Sequence, residues 1–116
     1  MTTFTTTDLG NAERLRALYS DRVRWVQGRG WYIKEPDGWR RDRDGAMMRM
    51  AIAVVRSIRD DAATEPDLER ADALHRWAGD SGMLNRLTAM VELARHLDGL
   101  TVASTAALEE RIEDVG

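Results

Sequence analysis

The chain has 116 residues, of which 43% are hydrophobic and 32% charged, and it contains no cysteine. This length suits one domain, and the composition is that of a folded soluble protein without a disulfide framework or thiolate chemistry. No apolar run reaches the roughly 20 residues of a membrane span and the N-terminus lacks a signal-peptide pattern, so we expect a cytoplasmic protein that does not contact membranes.

The net charge of −3 conceals an uneven distribution of charge along the chain. Residues 14–59 carry twelve Arg and Lys against five Asp and Glu, whereas residues 60–116 carry five against thirteen. The first segment can therefore attract an anionic partner and the second a cationic one, provided that folding keeps the two groups of charges apart.

An N-terminal helix is predicted after a Thr-rich segment, residues 1–6, that we expect to be disordered. Thr7 and Asp8 can each cap the first free backbone N–H groups of this helix. Its apolar residues fall on one face at helical spacing, and they are Leu9, Ala12, Leu15, Leu18 and Tyr19. We treat residues 7–116 as a single domain.

A small antiparallel sheet is predicted between residues 23 and 41. Residues 23–27 alternate in the manner of a strand, and Gly28-Arg29-Gly30 supplies the backbone freedom for a tight reversal into a second strand. Pro36-Asp37-Gly38 has the residues of a second turn, after which Trp39 begins a third strand. The pattern predicts a three-stranded antiparallel meander.

A bundle of about four helices is predicted to follow the sheet, which gives an α+β fold. The second helix covers about 46–62, and its apolar stripe is Met47, Met50, Ala51, Val54, Val55 and Ile58. The cluster of Met47, Met48 and Met50 can serve as core or as an adaptable groove for a partner.

The remaining helices are separated by turn and capping residues. Pro66 and Asp67 begin the third helix, whose inward residues are Leu68, Ala71, Leu74 and either Trp77 or Ala78. The fourth covers about 83–97, with Leu84, Leu87, Met90, Val91 and Ala94 on its buried side. A short extended link, Leu100 to Val102, precedes a last helix over about 106–113.

No catalytic or metal-binding constellation is visible in the sequence. His75 and His96 are 21 residues apart on different predicted helices, and the chain has no HExxH, GxSxG or P-loop motif. Adjacent acidic residues on a helix point about 100° apart and do not share an ion; such pairs are Asp60-Asp61, Glu109-Glu110 and Glu113-Asp114. We therefore expect no enzymatic activity, no metal and no cofactor.

The predicted meander combines basic and aromatic residues in the proportion typical of surfaces that bind nucleic acid. The candidate nucleic-acid-binding residues are Arg22, Arg24, Trp25, Arg29, Lys34, Arg40, Arg41 and Arg43. The same composition also fits a protein-binding surface, or solvated arginines around core tryptophans. We expect Trp31 and Trp39 to belong to the core.

Several segments together resemble a known replication domain. They are Thr7-Asp-Leu-Gly-Asn-Ala-Glu-Arg-Leu15, Val23-Arg-Trp-Val26, Gly30-Trp-Tyr-Ile33, Asp37-Gly-Trp-Arg40 and the stretch from Trp77 to Arg95. The chain resembles, from residue 7 to about 110, the domain preceding the superfamily III helicase in phage and plasmid primase-helicases, the poxvirus-type primase N-terminal-like domain.

The resemblance implies a role in DNA engagement or helicase assembly during replication, and it carries over no catalytic residue. The chain has neither a primase module nor an ATPase module with its phosphate loop, so we expect either a free-standing relative or a piece of a longer protein.

Two hypotheses of function follow. In the first, the chain is a non-enzymatic replication accessory that binds DNA, single-stranded or forked, through the meander and contacts a helicase or other replication protein through its acidic helices. In the second, it is a phage-encoded inhibitor or adaptor that docks on a host protein without contacting DNA. Both hypotheses allow the chain to form a homo-oligomer.

Overall fold

The computed structural model describes residues 4–108 and has an α+β fold. Its elements are α1 (Asp8–Tyr19), β1 (Val23–Val26), β2 (Gly30–Glu35), β3 (Gly38–Arg41), α2 (Ala46–Thr64), α3 (Leu68–Ser81), α4 (Leu84–Ala94) and β4 (Thr101–Val102). Residues 105–108 are again helical, and the rest of the predicted last helix lies outside the described residues. Residues 1–3 of the predicted disordered segment also lie outside them, while residues 4–6 form neither helix nor strand.

The sheet has four strands in the order β3-β2-β1-β4, one more than the sequence predicts. The antiparallel pairing of β1 with β2 and of β2 with β3 agrees with the predicted meander. The segment predicted to be an extended link is instead a strand, parallel to β1, because the Trp25 N–H donates to the Leu100 carbonyl at 2.7 Å and the Gln27 N–H to Val102 at 3.1 Å. This pairing joins the segment after α4 to the first strand of the sheet.

Helix α2 supplies the centre of the core and packs against α1, α3 and α4. Its predicted stripe is buried in full, and Ala46 and Ala62 extend it, so the prediction for this helix is confirmed. Met47 and Met50 are core residues and Met48 packs at the edge of the core. The cluster of Met47, Met48 and Met50 therefore serves as core, the first of the two predicted alternatives.

Several leucines predicted to face inward are exposed. Leu9 and Leu18 of α1 are 48% and 52% exposed, because the buried face of α1 is rotated toward Asn11 and Arg14. Leu68 and Leu84 are each the first residue of their helix, where no neighbouring element covers the side chain. Hydrophobic periodicity predicted the helices correctly but not which residues at their ends are buried.

Asp42 caps helix α2 from outside the helix, since its N-cap residue Gly45 has no side chain. The Asp42 carboxylate accepts hydrogen bonds from the backbone N–H groups of Ala46 and Met47, both at 2.9 Å, and of Asp44 at 3.4 Å. Burial alone would raise the pKa of this carboxyl, but these hydrogen bonds outweigh burial and hold its pKa below the ordinary value.

Replacing Asp42 with Asn should lower the free energy of unfolding by about 1–2 kcal/mol at neutral pH, since the negative charge at the helix N-terminus is lost. A depressed pKa in the folded state means that the stabilisation is complete above the unfolded pKa of about 3.9 and disappears as the pH falls through the lower folded value. Urea unfolding at pH 7 and pH 3 should therefore show that the difference in free energy of unfolding between wild type and variant is smaller at pH 3. The exposed turn residue Asp37, replaced with Asn, serves as the control, and an equal difference at both pH values would contradict the assignment.

Candidate nucleic-acid interface

The register of the sheet sorts its side chains onto two faces, because paired residues on neighbouring strands point to the same side and successive residues point to opposite sides. The inner face packs on the helices and carries Val23, Trp25, Trp31 and Ile33. The opposite side, here called the outer face, carries Arg24, Val26, Tyr32, Lys34, Trp39 and Arg41.

Cationic and aromatic side chains alternate across the outer face. Tyr32 on β2 lies opposite Arg24 on β1 and opposite Arg41 on β3, while Lys34 lies opposite Trp39 in the next row. Arg41 is exposed, and Tyr32, Lys34 and Trp39 are partly buried. The β2–β3 part of the outer face therefore presents cations beside aromatic rings, the combination that proteins use to hold nucleic-acid strands.

The side chains that β1 contributes to the outer face are buried. Arg24 is 6% exposed and Val26 is fully buried. The Arg24 guanidinium donates hydrogen bonds to the carbonyl oxygens of Ser20 and Val23, and it lies 5.7 Å from the centre of the Trp39 ring. This arginine was predicted for the interface, and its contacts lie within the chain, where it holds the indole of Trp39 in place.

Arg40 points to the side opposite its neighbour Arg41. Its guanidinium pairs with the carboxylates of Glu35 and Asp44, the second at 3.6 Å. The hydrogen bond to Glu35 raises the pKa of Arg40 above its ordinary value, burial opposes this, and the nearby carboxylates add to the rise. The charge of Arg40 is therefore balanced within the chain, and the side chain borders a cavity of about 250 Å³ away from the outer face.

The other predicted arginines are exposed at separate places around the sheet. Arg29 lies in the turn between β1 and β2, and Arg43 follows β3. Arg22 precedes β1, where its carbonyl accepts a hydrogen bond from the Lys34 N–H at 2.8 Å. The structure thus brings Lys34 and Arg41 together on one surface and leaves Arg29 at the hairpin tip, while Arg22 lines the cavity of about 250 Å³ on the other side of the sheet.

The tryptophans divide between the two faces. Trp31 is in the core as predicted, whereas Trp39, also predicted for the core, lies on the outer face because the register places it opposite Lys34. Trp25, predicted for the interface, lies on the inner face, where its ring meets Trp31 edge-on with 5.5 Å between centroids. The Arg95 guanidinium lies 4.6 Å above the Trp25 ring.

Two of these side chains, Tyr32 and Arg95, are not among the predicted interface residues. Tyr32 carried a usable signal, since the two-residue period of β2 separates it from Trp31 and Ile33 and places it with Lys34. Arg95 carried none, because it lies at the end of α4 and reaches Trp25 only through tertiary packing.

Metal-ligand groups and membrane-spanning helices were looked for in residues 4–108. Within that range no group of three or more His, Cys, Asp or Glu side chains could hold a metal ion. His75 on α3 and His96 beyond α4 are both exposed, and the acidic pairs after residue 108 lie outside the described part of the chain. No described helix has the length and apolarity needed to cross a membrane.

The two longest segments that carry the family resemblance contact each other. Asn11 of α1 is fully buried; its amide donates to the Ser81 hydroxyl and accepts from the Trp77 indole N–H, both at 2.9 Å. Asp8 pairs with Arg86 at 3.1 Å beside these contacts, and the Arg86 guanidinium lies 5.1 Å from the centre of the Trp77 ring. The polar residues of both segments therefore join α1 to α3 and α4.

The family model described as "D5 N terminal like" matches residues 12–112, which is most of the chain. Searches of curated proteins and of solved structures found no match.

Proposed function

Because the chain belongs to the D5 N terminal like family and is a phage-type replication-associated domain, we propose that it binds DNA through the outer face of its sheet. We further propose that it is a non-enzymatic accessory and that its helices contact a helicase or another replication protein. These assignments extend the family membership to a defined surface and a defined ligand.

The observation that supports DNA binding is the pairing of cations with aromatic rings on β2 and β3. Lys34 and Arg41 flank Tyr32 and Trp39 across neighbouring strands. Phosphates along a strand can pair with the two cations, while bases pack on the rings, which accept any base because every base has an aromatic face. Arg43, exposed just after β3, extends the path available to a phosphate backbone.

The part of the chain that supports contact with a protein is the acidic segment after residue 59. Apolar side chains there stand exposed at the starts of two helices: Leu68 is 80% exposed, Leu84 72% and Met83 60%. A contiguous exposed apolar patch marks a protein-binding surface, and we propose that these side chains form part of one. We therefore assign the replication partner to this side and DNA to the sheet.

Arg40 and Arg41 offer a matched pair for the test. We expect Arg41→Ala to weaken DNA binding several-fold and to reduce the slope of log affinity against log salt by about one unit, because one phosphate contact is lost. Arg40→Ala removes the same charge, but from the side where Glu35 and Asp44 balance it, and should change both quantities little. Fluorescence anisotropy of labelled single-stranded and double-stranded oligonucleotides over a salt series measures both.

Binding that weakens steeply with salt, and that depends on Arg41 more than on Arg40, supports the proposal. Equal losses in the two variants would contradict the assignment to the outer face. No binding at low salt would contradict DNA binding itself.

The second candidate function is a protein-interaction module, an inhibitor or adaptor of a host protein, that does not contact DNA. The ion pairs of Arg40 with Glu35 and Asp44, and of Arg14 with Asp61 at 2.7 Å, favour it, because they use part of the basic charge internally. This alternative requires that oligonucleotides fail to bind at low salt, so the same anisotropy series distinguishes the two.

A further inference from the structure

A cavity of about 320 Å³ lies where the turn between β1 and β2 meets the end of α4 and the start of β4. Its lining consists of Trp25, Gln27, Gly28, Arg95, His96 and Thr101. The volume is at the lower end of the range of about 300–1,000 Å³ for small-molecule sites, so it suits a ligand of the size of one nucleoside. The family match assigns no role to this cavity.

The cavity has a flat, cationic wall. The Arg95 guanidinium lies 4.6 Å above the Trp25 ring, and that ring is held by its edge-on contact with Trp31. Glu92 fixes the guanidinium through an ion pair at 3.0 Å. Planar guanidinium and indole groups are the surfaces on which unstacked bases pack in complexes with single strands.

The rest of the lining supplies both donors and acceptors of hydrogen bonds. Gln27, His96 and Thr101 are exposed and contribute an amide, an imidazole and a hydroxyl group. The Thr101 hydroxyl donates to the Arg95 carbonyl and so ties the strand to the end of the helix. The edges of nucleobases carry donors and acceptors side by side, which a mixed set of this kind can match.

The electrostatics favour a base inside the cavity and phosphate outside it. Helix α4 ends at Ala94, and the partial negative charge of its C-terminus together with the Glu92 carboxylate offsets the charge of Arg95, so the cavity has little net positive charge to attract an anion. Arg29 is exposed in the same turn as Gly28 and lies outside the lining. A neutral base can therefore enter while the adjoining phosphate meets Arg29.

We propose that this cavity binds one unstacked nucleobase of single-stranded DNA, with Arg95 and Trp25 as its stacking wall and Arg29 on the neighbouring phosphate. The proposal rests on the proposed function and adds a strand preference to it. Bases in an intact duplex are stacked and paired, so they cannot enter such a site without leaving the helix. Single strands should consequently bind more tightly than duplexes of the same sequence.

Replacing Arg95 with Lys keeps the charge but removes the planar group, so it tests stacking in particular. We expect affinity for a labelled single-stranded oligonucleotide to fall about tenfold, with the salt slope and the affinity for duplex unchanged. Arg86→Lys is the matched control, because Arg86 also lies over a tryptophan, Trp77, but borders no part of this cavity. Circular dichroism melting of both variants verifies that the fold is kept.

A second measurement tests the cavity independently of the sheet. Titration of the full chain with deoxyadenosine monophosphate, followed by NMR, should shift the indole N–H resonance of Trp25 and the backbone resonances of Gly28 and His96. If these resonances do not shift and Arg95→Lys binds single strands as tightly as the wild type, the proposal is overturned. Salt-dependent DNA binding through the outer face would not be affected by that result. The opposite result is also informative. If the resonances shift but oligonucleotide binding does not depend on Arg41, the cavity site is supported and the proposed role of the outer face is overturned.

Discussion

Replacing Asn11 with Leu should lower the free energy of unfolding by about 2–5 kcal/mol, the largest effect that we expect from any single polar residue of this chain. Asn11 is fully buried and satisfies both the Trp77 indole N–H and the Ser81 hydroxyl. Leu fills a similar volume but offers no polar atom, so both groups would lose their partner away from water. Each buried group left unsatisfied costs about 1–3 kcal/mol.

Urea unfolding monitored by circular dichroism and tryptophan fluorescence measures this effect. The control is Asn85→Leu, since Asn85 is an exposed asparagine on α4 and its replacement should change stability by no more than about 0.5 kcal/mol. A stability of Asn11→Leu equal to that of the control would show that the contacts with Trp77 and Ser81 contribute nothing to the fold.

Other residues of the segment beginning at Thr7 also have structural roles. Thr7 caps α1 by accepting a hydrogen bond from the Gly10 N–H at 2.9 Å. A side chain on Gly10 would collide with the carbonyl oxygen of Thr5. Asp8 pairs with Arg86, so Thr7, Asp8, Gly10 and Asn11 each have a structural role. The segment therefore fixes the start of α1 against the ends of α3 and α4.

Local patterns predicted much of this fold because they reflect local physics. The stripe of α2 and the alternation of β1 and β2 are set by helical and strand periodicity, and both appear in the structure. Strand β4 was missed because it has only two residues and pairs with a strand about 75 positions earlier. Asn11 was missed because a polar residue on a buried face interrupts the hydrophobic pattern and is justified only by distant partners.

The candidate site was predictable in composition but not in arrangement. Alternation along β3 requires Arg40 and Arg41 to point to opposite sides, and this much could be derived from the sequence. Which side is open depends on where the helices pack and on the two acids beside Arg40, one at the end of β2 and one just before α2. The same applies to Arg24, whose strand position suggests exposure but whose guanidinium is taken up by backbone carbonyls and the Trp39 ring.

The largest effect on function should come from reversing the charges of Lys34 and Arg41 together. We expect Lys34→Glu/Arg41→Glu to weaken binding of single-stranded DNA on the order of 100-fold at low salt, because two attractive contacts become repulsive on the same surface. The effect should diminish as salt rises, since screening weakens attraction and repulsion alike. Anisotropy titrations at several salt concentrations measure both the loss and its decline.

The matched control is Arg56→Glu/Arg59→Glu, which makes the same change in net charge on exposed residues of α2. If DNA responded only to overall charge, the two double variants would lose affinity equally, and the outer face would have no special role. If the outer face binds DNA, the Lys34 and Arg41 variant should lose far more at equal net charge. Because neither pair lies in the core, both proteins should melt near the wild-type temperature, so a selective loss of binding can be attributed to the surface of β2 and β3.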